Sequence, residues 1–222
     1  MKSISISNKI RTSCRDLIIA AIECRVINSD TSTLLWEEID LLVEDTGKLS
    51  LDLINKIPAI AATRNAYKIL GKDPNRYRPS AEALHRRIVK DMGLYKINTI
   101  VDIINYVSIK TAYSIGGFDA DKIQGDNILL DVGTSEDDFE AIGRGKLNIE
   151  FLPVYRDAVA GIGTPTSDEE RTKIDINTKN ILVIINAYSG ENGLLEAVDL
   201  MKMMLEKYAN ASNFKVWRND GQ

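Results

Sequence analysis

Histidine, cysteine and long apolar runs are what this chain has least of. It has one histidine, His85, and two cysteines, Cys14 and Cys24, in 222 residues. One imidazole and two thiols do not make a zinc site of the usual His/Cys type, so no metal is expected. Two cysteines make no disulfide framework, and they are read as reduced thiols of a cytoplasmic protein. No run approaches the ~18 apolar residues of a membrane span. The opening MKSISISNKIRTSCRDLIIAAIECRV has a short apolar run that Glu23 and Arg25 end, with no small-residue cleavage site, so a signal peptide is not expected. Repeats and low-complexity tracts are also missing. What remains, 44% hydrophobic and 27% charged residues, suffices for a globular domain with a sizeable core.

Charge is abundant and uneven. The whole chain carries a net −4, but Arg64 to Lys90 holds eight Lys or Arg against Asp73 and Glu82, a local +6. Asp119 to Glu150 holds nine carboxylates against Lys122, Arg144 and Lys146, a local −6. A basic patch steers polyanions whatever the total charge. The acidic total argues against tight nonspecific nucleic-acid binding, and no DNA partner is expected. Lys68, Arg76, Arg78, Arg86 and Arg87 are the candidate RNA-binding cations, with Tyr67 and Tyr77 as stacking partners. The competing reading is a solvated face, or ion pairing of this segment with the acidic one.

Periodicity predicts a mixed α/β fold: a mixed sheet with flanking helices. A short opening strand near Ser3 to Ser7 continues into LIIAAIECRVI, from Leu17 to Ile27. Ser32 or Thr33 caps a helix through LLWEEIDLLVED. A second helix starts at Pro58 and ends before Gly71. GKDPNRYRP reads as a turn, and Ser80 as the cap of SAEALHRRIVK. In INTIVDIINYVSIK the Ile100, Ile103, Ile104, Val107 spacing predicts a helix that sets Asn98, Asp102 and Asn105 on one face. Past Gly116-Gly117 come short strands and turns. GIGTPTSDEERTKIDINTKN reads as a long polar loop, ILVIINAY as a buried central strand, GLLEAVDLMKMMLEKYA as a closing helix, and the tail from Asn210 as frayed or an edge strand. The expected organisation is one domain over 1–222, with a strand–helix portion at 1–60 and the closing helix at 193–208.

The run INTIVDIINYVSIKTAYSIGGFDADKIQG resembles a known family. Ile97-Asn98, Val101-Asp102, Asn105-Tyr106-Val107, Phe118-Asp119 and Asp121-Lys122-Ile123 through Gly125 match, in order, a motif of the tRNA-editing and tRNA-binding domain of the phenylalanyl-tRNA synthetase beta subunit. Weaker similarity spreads over 64–188. NRYRPSAEALHRR and TPTSDEERTKI look like free-standing relatives of that domain, and the chain shows no aminoacylation module. The resemblance implies a three-layer mixed α/β fold, a tRNA acceptor end as partner, no cofactor, and a pocket where mischarged aminoacyl-tRNA is hydrolysed. The family's pocket Thr, His and late-strand acid fall here at Ile104, Gly116 and Ile184, while Asn105 is retained. The resemblance therefore leaves two functions open, an aminoacyl-tRNA deacylase using other groups or a noncatalytic module for tRNA, an amino acid or a nucleotide. An interaction domain pairing its +6 and −6 faces is a third reading.

Candidate groups follow. Asp102, Asn105 and Ser108 would orient water or the substrate amino group, since an activated ester needs little more than positioned water and oxyanion donors. The alternative is that Asp102 caps backbone and Asn105 holds a turn. Asn98, Gly116, Gly117 and Asp119 would line the pocket; for the two glycines the alternative is a turn needing positive φ. Thr164, Ser167 and Asp168, with Arg171 as charge partner, would cradle a phosphate or carboxylate, or else form a solvated turn. His85 is read as a packing or surface histidine, the alternative being a general base.

Overall fold

The run ILVII, residues 181–185, is apolar throughout, and both of its faces are buried. The structure, a computed structural model, describes residues 2–219. In chain order it runs β1 (Ser3–Ile6), α1 (Asn8–Ser13), β2 (Ile18–Arg25), α2 (Thr33–Gly47), α3 (Leu51–Ile54), α4 (Pro58–Leu70), α5 (Ser80–Val89), α6 (Thr99–Thr111), β3 (Ser114–Asp119), β4 (Asn127–Val132), β5 (Glu140–Ala141), β6 (Gly145–Lys146), β7 (Pro153–Arg156), β8 (Gly161–Gly163), β9 (Asn180–Ala187), α7 (Leu194–Ala209) and β10 (Ser212–Asn219). One sheet has the order β10-β2-β9-β3 and is antiparallel throughout. A second has the order β1-β4-β7-β8, with β1 parallel to β4.

Alternate residues of β2 and β9 enter two different cores. Ala20, Ile22, Ile181, Val183 and Ile185 pack against Leu35 and Ile39 of α2, Ile100 and Ile103 of α6, and Met201 and Leu205 of α7. Ile19, Ala21, Leu182 and Ile184 face Ile4, Ile128, Leu130 and Tyr155 of the second sheet. The layers are therefore helices, sheet, sheet, a mixed α/β arrangement. At ~25 cal/mol per Å² of apolar surface, these two cores dominate the folding free energy.

The helix ends follow their local chemistry. Ser32 Oγ accepts the Leu35 N–H at the start of α2, Pro58 opens α4, and Gly71 closes it at φ 102°. Asn98 caps α6, its Oδ1 accepting the Val101 N–H at 3.0 Å.

Other expectations are corrected. The opening strand does not continue into β2: Ser7 caps the intervening α1, whose Ile10 is fully buried, and β1 and β2 lie in different sheets. Ser80 is the first residue of α5, and its helix is preceded by Pro79 with no side-chain cap. The segment from Gly161 is not one polar loop, because β8 pairs with β7 and Thr164, Thr166, Thr172 and Thr178 are buried. The tail forms an edge strand, β10, one of the two expected readings, with a register shift between Ser212 and Lys215; residues past Asn219 lie outside the described residues.

Gly116 and Gly117 lie inside β3, and neither has positive φ. Their role is close packing. A Cβ on Gly117 would overlap the Ile104 Cδ1 methyl, and one on Gly133 would overlap the Ile149 carbonyl. A side-chain methyl yields more readily than backbone. Gly117→Ala is therefore expected to cost roughly 1–3 kcal/mol and Gly133→Ala distinctly more. Denaturant midpoints check this, and equal midpoints for the two variants would contradict it.

Candidate functional site: a cationic groove

The groove begins with one buried carboxylate. Glu82, on the inner face of α5, has 0% exposure. Its Oε2 accepts from Arg64 Nη1 of α4 at 2.7 Å, and its Oε1 accepts from Arg86 Nε, one turn along α5, at 2.7 Å. Arg78 Nε stands 4.0 Å from the same Oε1. A buried carboxylate needs such partners, because an unpaired charge away from water is costly. Arg64 also donates to the Pro74 carbonyl and to Asn75 Oδ1, which staples the 71–79 turn against α4. The turn residues Arg76 and Arg78 are left exposed.

The opposite wall is the turn after β8. Thr164 Oγ1 accepts the N–H groups of Thr166 and Ser167, each at 3.1 Å, and so fixes the turn's shape. The Pro165 carbonyl accepts the Ser80 N–H at 2.8 Å, docking the turn onto the start of α5. Thr166 Oγ1 bonds the hydroxyl of fully buried Tyr67 at 2.8 Å. Between these walls lies a groove of ≈ 440 Å³. It is lined by six cations, Arg76, Arg78, Arg86, Arg87, Lys90 and Arg144, together with Ser80, Thr166, Asn105 and Tyr95. Among the described residues no carboxylate or imidazole lines it.

The groove brings together four of the five RNA-binding candidates. Lys68 is exposed on α4 and is not among the groove's lining residues. No ion pair among the described residues joins the basic segment to the acidic one; Lys72 alone reaches across, to the Asn148 carbonyl at 2.8 Å. Neither expected stacking tyrosine is open. Tyr67 is buried, and Tyr77 carries Lys72 Nζ over its ring at 3.7 Å and Arg76 at 5.5 Å. The aromatic on the groove is Tyr95, which the sequence reading passed over because it sits in an irregular segment without periodicity.

Of Asp102, Asn105 and Ser108, only Asn105 lines the groove. Asp102 is buried and accepts from Trp36 Nε1 at 2.8 Å, Thr31 Oγ1 at 2.9 Å and the Ile97 N–H at 3.1 Å. It ties the N-terminus of α6 to α2. Ser108 is buried and donates to the Tyr113 carbonyl at 2.7 Å, past the end of α6. Asn98 is spent on its cap. Asp119 accepts from Thr178 Oγ1 at 2.8 Å and from the Asp121 N–H at 3.1 Å. Arg171 makes a two-pronged pair with Asp157, at 2.9 and 3.1 Å. Burial opposes ionisation of Asp157, but Arg171 and the N–H groups of Gln124, Ala160 and Val159 outweigh it and bring its carboxyl to about 2. Ser167 donates to the Asp168 carbonyl, within its own turn. His85 is buried and its Nδ1 lies 2.8 Å from the Ala81 carbonyl, so the ring donates there and burial holds its pKa down.

The positions set against the family's Thr, His and acid are apolar packing. Ile104 fills the space over Gly117, and Gly116 pairs with Ile184 on the opposite face of β3. Asp168 stands beside them. Its Oδ2 accepts the Gly117 N–H at 3.1 Å, and its Oδ1 occupies the space a side chain on Gly163 would need.

Burial pushes the Asp168 carboxyl from 3.8 up to about 7, against the Gly117 hydrogen bond, which pulls it down. A folded-state pKa above the unfolded one means that the native state holds the proton longer. Stability therefore falls as pH rises between 3.8 and about 7, by up to about 1.4 kcal/mol per pH unit. Asp168→Asn is expected to remove that slope. Urea unfolding across this window checks it, and an unchanged slope in the variant would contradict it.

The chain is 31% identical over 110 residues, 47% of its length, to the phenylalanine–tRNA ligase beta subunit of Fusobacterium nucleatum subsp. nucleatum, and spans only 13% of that subunit. Among solved structures it is similar to an N-terminal fragment of the phenylalanyl-tRNA synthetase beta subunit from Pyrococcus horikoshii, with 13% identity and a TM-score of 0.48, covering 96% of this chain and 50% of that one. The family model described as the B3/4 domain matches residues 62–200, well over half of the sequence, and the chain belongs to that family.

Proposed function

We infer that this chain binds RNA, the acceptor end of a tRNA in particular, through the cationic groove. The observation that carries the reading is the lining itself: six cations from three segments, the 71–79 turn, α5 with its C-cap and the β5–β6 turn, converge with no carboxylate among them. Guanidinium and ammonium groups in that number match a phosphate backbone in charge. The choice of tRNA rests on the similarity to a tRNA ligase subunit. Three of the six, Arg76, Lys90 and Arg144, have no side-chain hydrogen bond or ion pair among the described residues, so they are available to a ligand.

Binding rather than hydrolysis is the favoured chemistry. Asn105 and Ser80 offer hydrogen-bonding groups along the groove, but among the described residues no general base stands there. Asp102 and Ser108 are committed to backbone and side-chain partners. Asn105 is the group that would orient a water if an ester were cleaved.

Lys90→Ala combined with Arg144→Ala is expected to weaken tRNA binding about tenfold at moderate salt. The slope of log K against log salt should fall by roughly 1.5, as two phosphate contacts are lost. Fluorescence anisotropy over a salt series checks this, and an unchanged slope would contradict the reading. In the same samples, phenylalanine tRNA charged with tyrosine should release amino acid at the spontaneous rate. Faster release, abolished by Asn105→Ala, would replace the binding module with a deacylase.

A further inference from the structure

We propose that Tyr95, backed by Arg87, is a nucleobase-stacking platform that makes the groove select unpaired nucleotides over duplex. This deepens the RNA-binding reading and rests on it. Residues 91–98 connect α5 to α6 without regular structure, and Tyr95 there is 66% exposed. An exposed ring on an irregular segment would ordinarily be mobile, yet this one is held. The Arg87 guanidinium lies 3.9 Å from its ring centroid. Arg87 Nε donates to the Gly93 carbonyl and its Nη2 to the Met92 carbonyl at 3.2 Å. Nε and Nη2 of Arg87 are thus spent on backbone, which fixes its guanidinium as a support for the ring. Both residues line the groove, next to Lys90 and Arg86.

A ring held in place on one side and open on the other binds a flat ligand with little ordering cost. Every nucleobase has a π-face, but in a duplex both faces are covered by neighbouring pairs. Only an unpaired nucleotide or a strand end can place a base on Tyr95 while its phosphates meet the cations beside it. The neighbouring apolar side chains of Met92 and Ile97 are also exposed, which gives the platform an apolar surround.

The test uses three probes on the full chain: a short single-stranded oligoribonucleotide, a long blunt-ended RNA duplex whose internal sites far outnumber its two ends, and inorganic polyphosphate, which has charge but no bases. Tyr95→Ala is expected to weaken the single-stranded probe about tenfold and to leave duplex and polyphosphate affinities unchanged. Tyr95→Phe should bind all three like the parent chain, since a ring is retained. Thermal melts confirm that the exposed substitution leaves folding intact. If Tyr95→Ala weakens all three probes alike, or none, the platform is overturned. If Tyr95→Ala is silent while Lys90→Ala is not, the platform falls and the groove reading stands. If no probe binds the parent chain, both fall together.

Discussion

Much of this molecule's exposed chemistry follows from a single constraint: the Glu82 carboxylate is buried and must be compensated. Arg64 from α4 and Arg86 from the same helix supply that compensation, and Arg78 approaches from the preceding turn. The pairing is not by itself a source of stability, because desolvation offsets much of the Coulombic gain. Its consequence is geometric. Two helices and the 71–79 turn are fixed relative to one another, and the remaining N–H groups of Arg86 and the side chains of Arg76 and Arg78 are left along one surface. One internal negative charge thus organises an external row of positive ones.

The central strands tell the complementary story. Where the resemblance sets polar pocket groups, this chain has Ile104, Gly116 and Ile184, and they are packed rather than open. Gly117 lacks a side chain because Ile104 occupies its space, and Gly116 faces Phe118 and Asp168. The inside of the sheet is thereby closed by side chains, and the polar, charged lining of the molecule lies along α5 and its neighbouring turns. The retained Asn105 sits on the groove side of α6.

Parts of this were legible in the sequence because they are local. β9 declared itself by an uninterrupted apolar run, α2 by Ser32 ahead of an amphipathic stretch, and α4 by Pro58 and Gly71 at its two ends. The clustering of Arg76, Arg78, Arg86 and Arg87 was legible because they share one short stretch of chain. The uses of polar groups were not, because their partners are distant. Asp102 looked like a pocket acid until Trp36 and Thr31, more than sixty residues earlier, were found on its carboxylate. Arg171 looked like a free cation until Asp157 was found opposite it. The Gly116-Gly117 pair suggested a ligand or a turn, since a sequence does not show which side chain will need the space. Tyr95 carried one usable signal, an arginine eight residues upstream whose stacking only the fold reveals.

The central claim is one of place: RNA lies along α5. Covalent labelling of lysines, with and without tRNA, followed by mass spectrometry, tests it most directly. Lys90 lines the groove, whereas Lys68 on α4 and Lys215 on the edge strand β10 do not. The account predicts that tRNA protects Lys90 and leaves Lys68 and Lys215 as reactive as before. Protection of Lys215 with Lys90 still open would place the ligand at the sheet edge and contradict it.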